Sequence, residues 1–115
     1  MSDLSRELLP GWAEDWLLLE RDRWDQTRVY ALESLSRQLP RDGHYLPALQ
    51  SALAAIAVDS LRETAHRLVV EVHMAEGNVA SAVTRYPDYR VPLQRELKVE
   101  PSLQMTQLLR DLPPA

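Results

Sequence analysis

Three side chains of this sequence have types suited to holding a metal ion or moving a proton. Glu63, His66 and His73 would share one helix face, since the two histidines are seven residues apart, and carboxylate and imidazole groups are common zinc ligands. Two helical turns, however, separate the histidines by about 10 Å along the helix axis, which is far for one ion. We therefore favour a structural role, in which His66 packs against a neighbouring helix and donates a hydrogen bond to a carbonyl.

Other kinds of reactive group are missing from the sequence. It has no cysteine, which excludes disulfides, thiolate metal sites and cysteine nucleophiles. It also has no nucleophile motif, phosphate-binding loop or EF-hand pattern. We therefore expect a protein that is not an enzyme and that needs no cofactor or metal. A small hydrolase or metal enzyme is the third hypothesis, after the two binding functions given below.

Composition and charge restrict the partners of the chain. Its 115 residues suffice for one domain, and 45% of them are hydrophobic and 26% charged, as in globular proteins. The net charge is -4, from 13 basic and 17 acidic residues, so the overall field opposes binding of nucleic acid by this chain alone. No apolar run approaches the roughly 18 residues that span a bilayer, and the N-terminus lacks the pattern of a signal peptide. These features predict a cytoplasmic protein that does not contact the membrane.

The elements that must position these side chains are predicted to be helices. Alanine, leucine, arginine, glutamate and glutamine dominate the sequence and favour helix, and no segment shows the alternation typical of a strand. A first long helix is predicted from residue 12 to residue 39. We expect Trp16 and Trp24 in the core. The apolar residues that recur along one side of this helix are Leu17, Trp24, Ala31 and Leu35.

Four further helices follow, with starts and stops that the sequence indicates. The second is predicted over residues 45–58. The third opens with a capping box, in which Ser60 is the N-cap and Glu63 reaches back to it, and ends at Gly77 in a left-handed conformation. The fourth is predicted to start near residue 79 and to kink or stop near Tyr86, because two prolines follow within the helix. A last short helix is predicted over residues 102–112.

A period of 34 residues links the two halves of the chain. Gly43 and Gly77 are 34 residues apart, and so are Ala48 and Ala82. A glycine permits a tight turn between paired helices, and a small alanine in the following helix lets the two backbones approach closely. This is the spacing of tetratricopeptide repeats, in which stacked helix pairs bury their faces. We therefore predict an all-α, tetratricopeptide-like antiparallel helix-pair stack of about five helices.

Several local motifs are more specific than the period. They are Leu8-Leu9-Pro10-Gly11-Trp12, Asp15-Trp16, Gly43-His44-Tyr45, Asp59-Ser60-Leu61-Arg62-Glu63, Ala65-His66, His73-Met74-Ala75-Glu76-Gly77-Asn78 and the segment from Arg95 to Ser102. Over about residues 7–112 the chain resembles the bacterial transcriptional activator domain of antibiotic-regulatory-protein-type activators. The resemblance implies a tetratricopeptide-like bundle that follows a winged-helix DNA-binding domain and supports regulation, self-association or contact with other proteins. Residues 1–115 would then form a single such domain, with no DNA-binding domain present.

These observations predict a non-catalytic interaction module of a transcriptional activator, acting through a partner protein or a neighbouring domain. The alternative is a free-standing tetratricopeptide-like adaptor that binds a peptide or protein partner. The candidate interaction residues are Trp12, Arg62, His66, Arg85 and Tyr86. Trp12 would face the DNA-binding domain of the parent activator. A homodimer is a further hypothesis, with Leu103, Leu108 and Leu109 as its apolar contact.

Overall fold

The structure is a computed structural model that describes residues 11–111, apart from the side chain of Trp12. Within that range the chain forms five α-helices and one short 3-10 helix, and no strand. The all-α prediction is confirmed, and the second helix has the predicted bounds. The helices are α1 (Trp12–Gln38), α2 (Tyr45–Val58), α3 (Glu63–Glu76), α4 (Val79–Leu97) and α5 (Leu103–Arg110), with the 3-10 helix at Leu39–Asp42 between α1 and α2.

Two left-handed glycines close the turns that join the paired helices. Gly43 has a φ of 79° and Gly77 a φ of 84°, a region that side-chain-bearing residues rarely adopt. Gly77 directly follows α3, and its backbone N–H bonds to carbonyls of the last turn, as the sequence predicts. Ala48 and Ala82 lie near the starts of α2 and α4, and both are fully buried. The period of 34 residues therefore corresponds to two similar helix pairs.

The central helix of the stack is α3. Each of α1 to α4 packs mainly on a helix that neighbours it along the chain, and α1 also contacts α3. Met105 of α5 packs in a cluster with residues of α3 and α4. Because α3 contributes to every cluster of buried residues found within residues 11–111, its packing joins the two helix pairs. One cluster consists of Val29, Ala55 and Ala65, a second of Ala52, Leu68 and Val69, and a third of Val70, Ala82, Tyr89, Leu93 and Met105.

The fourth helix continues through both of its prolines. It runs unbroken to Leu97, so the predicted stop near Tyr86 is wrong. Pro87 and Pro92 leave the carbonyls of Val83 and Asp88 without an N–H donor, but both of these residues are exposed, so water can bond to the carbonyls. The side chain of Val83 is 50% exposed. Beyond the first proline, the buried side chain of Tyr89 holds the helix against the core.

The third helix begins later than predicted. It starts at Glu63 with Arg62 as its N-cap, and no side chain caps it, so the capping box at Ser60 is wrong. Ser60 lies in the preceding turn, where its carbonyl oxygen is 2.8 Å from the ring of His66. The Glu63 carboxylate instead accepts hydrogen bonds from Ser102, at the start of α5. The tertiary contacts of this turn thus replace the local cap.

The other described helices cover only about half of the first helix. Its 27 residues span about 40 Å, whereas the 14 residues of its neighbour α2 span about 21 Å. The prediction that Trp16 and Trp24 lie in the core is wrong, because they are 49% and 71% exposed. The side of α1 that is buried carries two polar residues, Glu33 and Ser36, alongside Val29. Apolar periodicity identified the more apolar side of α1, but the side that carries Val29, Glu33 and Ser36 is the one that packs against the other helices.

Candidate functional site

The first half of α1 projects beyond the other helices that the structure describes. We call residues 12–28 the projecting segment; every side chain described in it is exposed or half exposed, and Val29 is the first buried residue of α1. Leu17 and Trp24 are seven residues apart and share one side of this helix, and contiguous exposed apolar surface marks interaction sites in soluble proteins. The Trp12 side chain, a candidate contact from the sequence, lies outside the described residues. The large apolar side chains exposed on the segment are Trp16, Leu17, Leu18, Leu19 and Trp24.

A buried ion pair fastens the second half of α1 to the turn before α3. Glu33 is 1% exposed, and its carboxylate accepts from Arg62 Nε at 3.0 Å and Nη2 at 3.1 Å. It also accepts from the hydroxyl of Thr64, and the Arg62 guanidinium lies 4.6 Å from the centre of the Tyr30 ring. Burial alone would raise the pKa of Glu33, but the hydrogen bonds from Arg62 and Thr64 lower it overall. We call these four residues the Glu33 network.

The predicted structural role of His66 is confirmed. The residue is 3% exposed, and its ring lies 4.6 Å from the ring of Tyr89. The Nδ1 atom is 3.4 Å from Nη2 of the Arg85 guanidinium, which can only donate a hydrogen bond. The proton therefore sits on Nε2, which donates to the carbonyl of Ser60 at 2.8 Å. Burial lowers the pKa of His66 and Arg85 lowers it further, while the hydrogen bond to Ser60 raises it; the net shift is downward, so the neutral ring predominates at pH 7.

This neutral histidine predicts a loss of stability in mild acid. Below its ordinary pKa of about 6.5, the unfolded chain binds a proton at His66 that the folded chain does not bind. The free energy of unfolding should therefore fall as pH drops from about 7 towards the lowered pKa, by up to about 1.4 kcal/mol per pH unit from this group. Urea unfolding at a series of pH values measures the slope. A His66→Gln variant, whose amide can still donate to Ser60, should show a flatter profile, and an unchanged slope would contradict the assignment.

A groove lies between α2 and α4, with α3 as its floor. We call it the α2–α3–α4 groove. It has a volume of about 390 Å³, with apolar side chains on the α2 side and polar ones on the α4 side. It contains Arg85, one of the candidate interaction residues, whose guanidinium reaches inward to His66. The residues that line it are Leu49, Leu53, Val69, His73, Ala80, Ser81, Thr84, Arg85 and Asp88.

The fifth helix is held at its first turn. The carboxylate of Glu63 accepts from the backbone N–H of Ser102 at 2.8 Å and from its hydroxyl, and Met105 is fully buried. Of the three leucines proposed as a dimer contact, Leu108 and Leu109 are partly buried against the third core cluster. Leu103 is the exposed one, at 65%. The apolar surface left on α5 is therefore much smaller than that of the projecting segment.

The motif residues of the turn before α3 and of the segment before α5 thus contact one another across the fold. In a comparison with protein-family models, the bacterial transcriptional activator domain matches residues 5–112 of the chain. This chain belongs to that family. The activator-domain family is regulatory, and it ties the chain to transcriptional activation. No match was found among curated proteins or among solved structures.

The structure gives the motifs of this activator domain a physical reason. Arg62 and Glu63 are neighbours in one motif, yet Arg62 binds Glu33 of α1 and Glu63 binds Ser102 of α5. A single short turn therefore holds the first and last helices of the domain. Neither contact is visible in the spacing of the motifs, because the partners are 29 and 39 residues away in sequence.

The candidate interaction residues of the activator domain occupy different environments. Arg85 lines the groove and contacts the buried His66, which does not line it, while Arg62 belongs to the Glu33 network. Tyr86 packs on the third core cluster, next to α5. Their role in binding stays a prediction. Within residues 11–111, no group of three or more possible metal ligands is close enough to hold an ion, and no helix is long and apolar enough to cross a bilayer.

Proposed function

We propose that this activator domain is a non-catalytic regulatory module, and that a partner protein or a neighbouring domain docks on its projecting segment. The observation that carries the proposal is the exposure of five large apolar side chains within nine residues, from Trp16 to Trp24. Tryptophan is enriched among the residues that dominate binding energy at interfaces. A helix of this length is only marginally stable without tertiary contacts, so docking would also stabilise it.

The family supplies candidates for the partner. The resemblance implies a winged-helix DNA-binding domain as the neighbour, and contact with the transcription machinery is the second possibility. We further propose that residues 1–115 act as one domain in the cytoplasm, where transcription occurs in bacteria. A free-standing adaptor, without a DNA-binding partner, is the competing function, and the α2–α3–α4 groove is the feature that favours it.

A binding experiment with matched variants tests the proposal. The purified chain is immobilised, and its affinity for a winged-helix domain from an activator of this family and for bacterial RNA polymerase is measured. We expect binding to at least one of them, and a loss of about tenfold or more in the double variant Leu17→Ser, Trp24→Ser. Because both side chains are exposed, circular dichroism should show an unchanged helix content.

The control for this experiment is Leu46→Ser. Leu46 is 63% exposed, comparable to Leu17 at 58%, but it lies on α2, away from the projecting segment. Its affinity should equal that of the wild type. The proposal is wrong if neither partner binds, or if the α2 variant weakens binding as much as the α1 variant.

A further inference from the structure

Two opposite charges stand unpaired along the α2–α3–α4 groove. Arg85 and Asp88 are one helical turn apart on α4 and both line the groove. Neither forms an ion pair with any of residues 11–111, and they do not pair with each other. Side chains three residues apart on a helix are neighbours, with about 5–6 Å between their Cβ atoms. The groove therefore presents one cation and one anion side by side.

Two side chains that line the groove contain buried polar atoms without a hydrogen-bond partner among the described residues. Nε of Arg85 and Nδ1 of His73 are buried, and neither has a hydrogen-bond partner among the described residues. Buried polar atoms in native proteins are nearly always paired, so an unpaired one calls for an occupant such as water or a ligand. Both residues line the groove, which places this unmet hydrogen-bonding capacity together with Asp88.

The opposite wall of the groove is aliphatic. Leu49 and Leu53 form it on α2, and Val69 of α3 lies between them and the charged residues. Leu53 keeps 40% of its surface exposed, so a bound side chain could still cover it. The volume of about 390 Å³ lies within the range of small-molecule sites, at its lower end. A short branched aliphatic chain suits this wall in size and polarity.

We propose that the α2–α3–α4 groove binds a free aliphatic α-amino acid. The carboxylate of the ligand pairs with Arg85, its ammonium pairs with Asp88, and its branched side chain packs on Leu49 and Leu53. A simple fatty acid would leave Asp88 unpaired, and an amine would leave Arg85 unpaired. This binding site is separate from the projecting segment and goes beyond the interaction function proposed above.

NMR titrations of the protein with L-leucine and three matched analogues test this site. The chemical shifts of the backbone amides are measured. The analogues are 4-methylpentanoate, which lacks the ammonium, 3-methylbutylamine, which lacks the carboxylate, and glycine, which lacks the side chain. We expect L-leucine to shift amides of residues 49–53, 69–73 and 81–88, with a dissociation constant near or below about 1 mM. Each analogue should bind at least about tenfold more weakly, because it loses one good contact.

Two variants separate the two charges. Asp88→Asn should weaken L-leucine about tenfold and leave 4-methylpentanoate unchanged, because that analogue has no ammonium to pair. Arg85→Gln should weaken L-leucine and leave 3-methylbutylamine unchanged. Asp88 is exposed, so the Asp88→Asn variant should fold normally. It therefore tests the site even if the Arg85→Gln variant does not fold.

Three results would overturn the proposal. The first is the absence of L-leucine shifts at the groove. The second is binding that Asp88→Asn leaves unaltered. The third is tighter binding of N-acetyl-leucine amide than of L-leucine, since that compound has the side chain without either charge and would indicate a peptide as the occupant. None of these results bears on docking at the projecting segment, which lies on α1.

Discussion

Replacing Arg62 with alanine should destabilise the domain by about 3 kcal/mol. The substitution leaves the carboxylate of Glu33 buried without its cation, and breaking a buried pair in this way is strongly destabilising. The value lies at the low end of the range because the Arg62 side chain is itself 23% exposed. The substitution also removes the cation from the face of the Tyr30 ring. Urea unfolding, followed by circular dichroism, measures the change in the free energy of unfolding.

A double variant distinguishes the buried charge from simple loss of packing. Changing Glu33 and Arg62 together to leucine removes both charges and keeps apolar volume, and such replacements are often neutral or stabilising. We expect the double variant to recover most of the stability that Arg62→Ala loses. If the double variant is as unstable as the single one, packing of the Arg62 stem, and not charge burial, holds α1 in place.

Replacing Met105 with alanine should cost about 3 kcal/mol. The side chain is fully buried in the third core cluster, beside Tyr89 and Leu93, so its removal leaves a cavity. The fifth helix has only eight residues and has no stability on its own. We therefore expect amides of α5 to lose protection from hydrogen exchange before those of α3. Chemical unfolding gives the global effect, and hydrogen exchange resolved by residue gives the local one.

Leu103 provides the control on the same helix. It is 65% exposed, so Leu103→Ala should change stability by no more than about 0.5 kcal/mol. It should also leave the exchange of α5 amides unchanged. Equal losses for Leu103→Ala and Met105→Ala would show that burial of Met105 is not what keeps α5 folded.

The helices themselves could be predicted from the sequence, because local signals specify them. The apolar spacing of residues 45–58 and the glycine at 77 place α2 and the end of α3 where the structure has them. The start of α3 could not be predicted, because Glu63 is drawn to Ser102, 39 residues away. The continuation of α4 through Pro87 was missed because the lost hydrogen bonds fall on exposed carbonyls, and exposure is a property of the whole fold.

The surfaces were harder to predict than the helices. Periodicity showed that Leu17 and Trp24 share a side of α1, but it could not show that no described helix lies against that side. Glu33 carried no signal of its own, since a glutamate in a long helix is usually solvated. The pairing of His66 with a carbonyl could be predicted, because a lone histidine on an apolar face needs such a partner. The proximity of Arg85 to His66 depends on the packing of α4 against α3.

The Glu33 network also determines how the projecting segment is oriented. Because α1 is continuous, its projecting segment moves together with the buried stretch around Val29 and Glu33, where the helix is attached to the rest of the domain. Trp16 lies about 25 Å from Glu33 along the helix axis. A tilt of the axis of α1 by about 10° at this attachment would therefore move Trp16 by roughly 4 Å. Glu33 binds Arg62, and the adjacent Glu63 binds Ser102 at the start of α5, so two consecutive residues connect the anchor of the projecting segment to the last described helix.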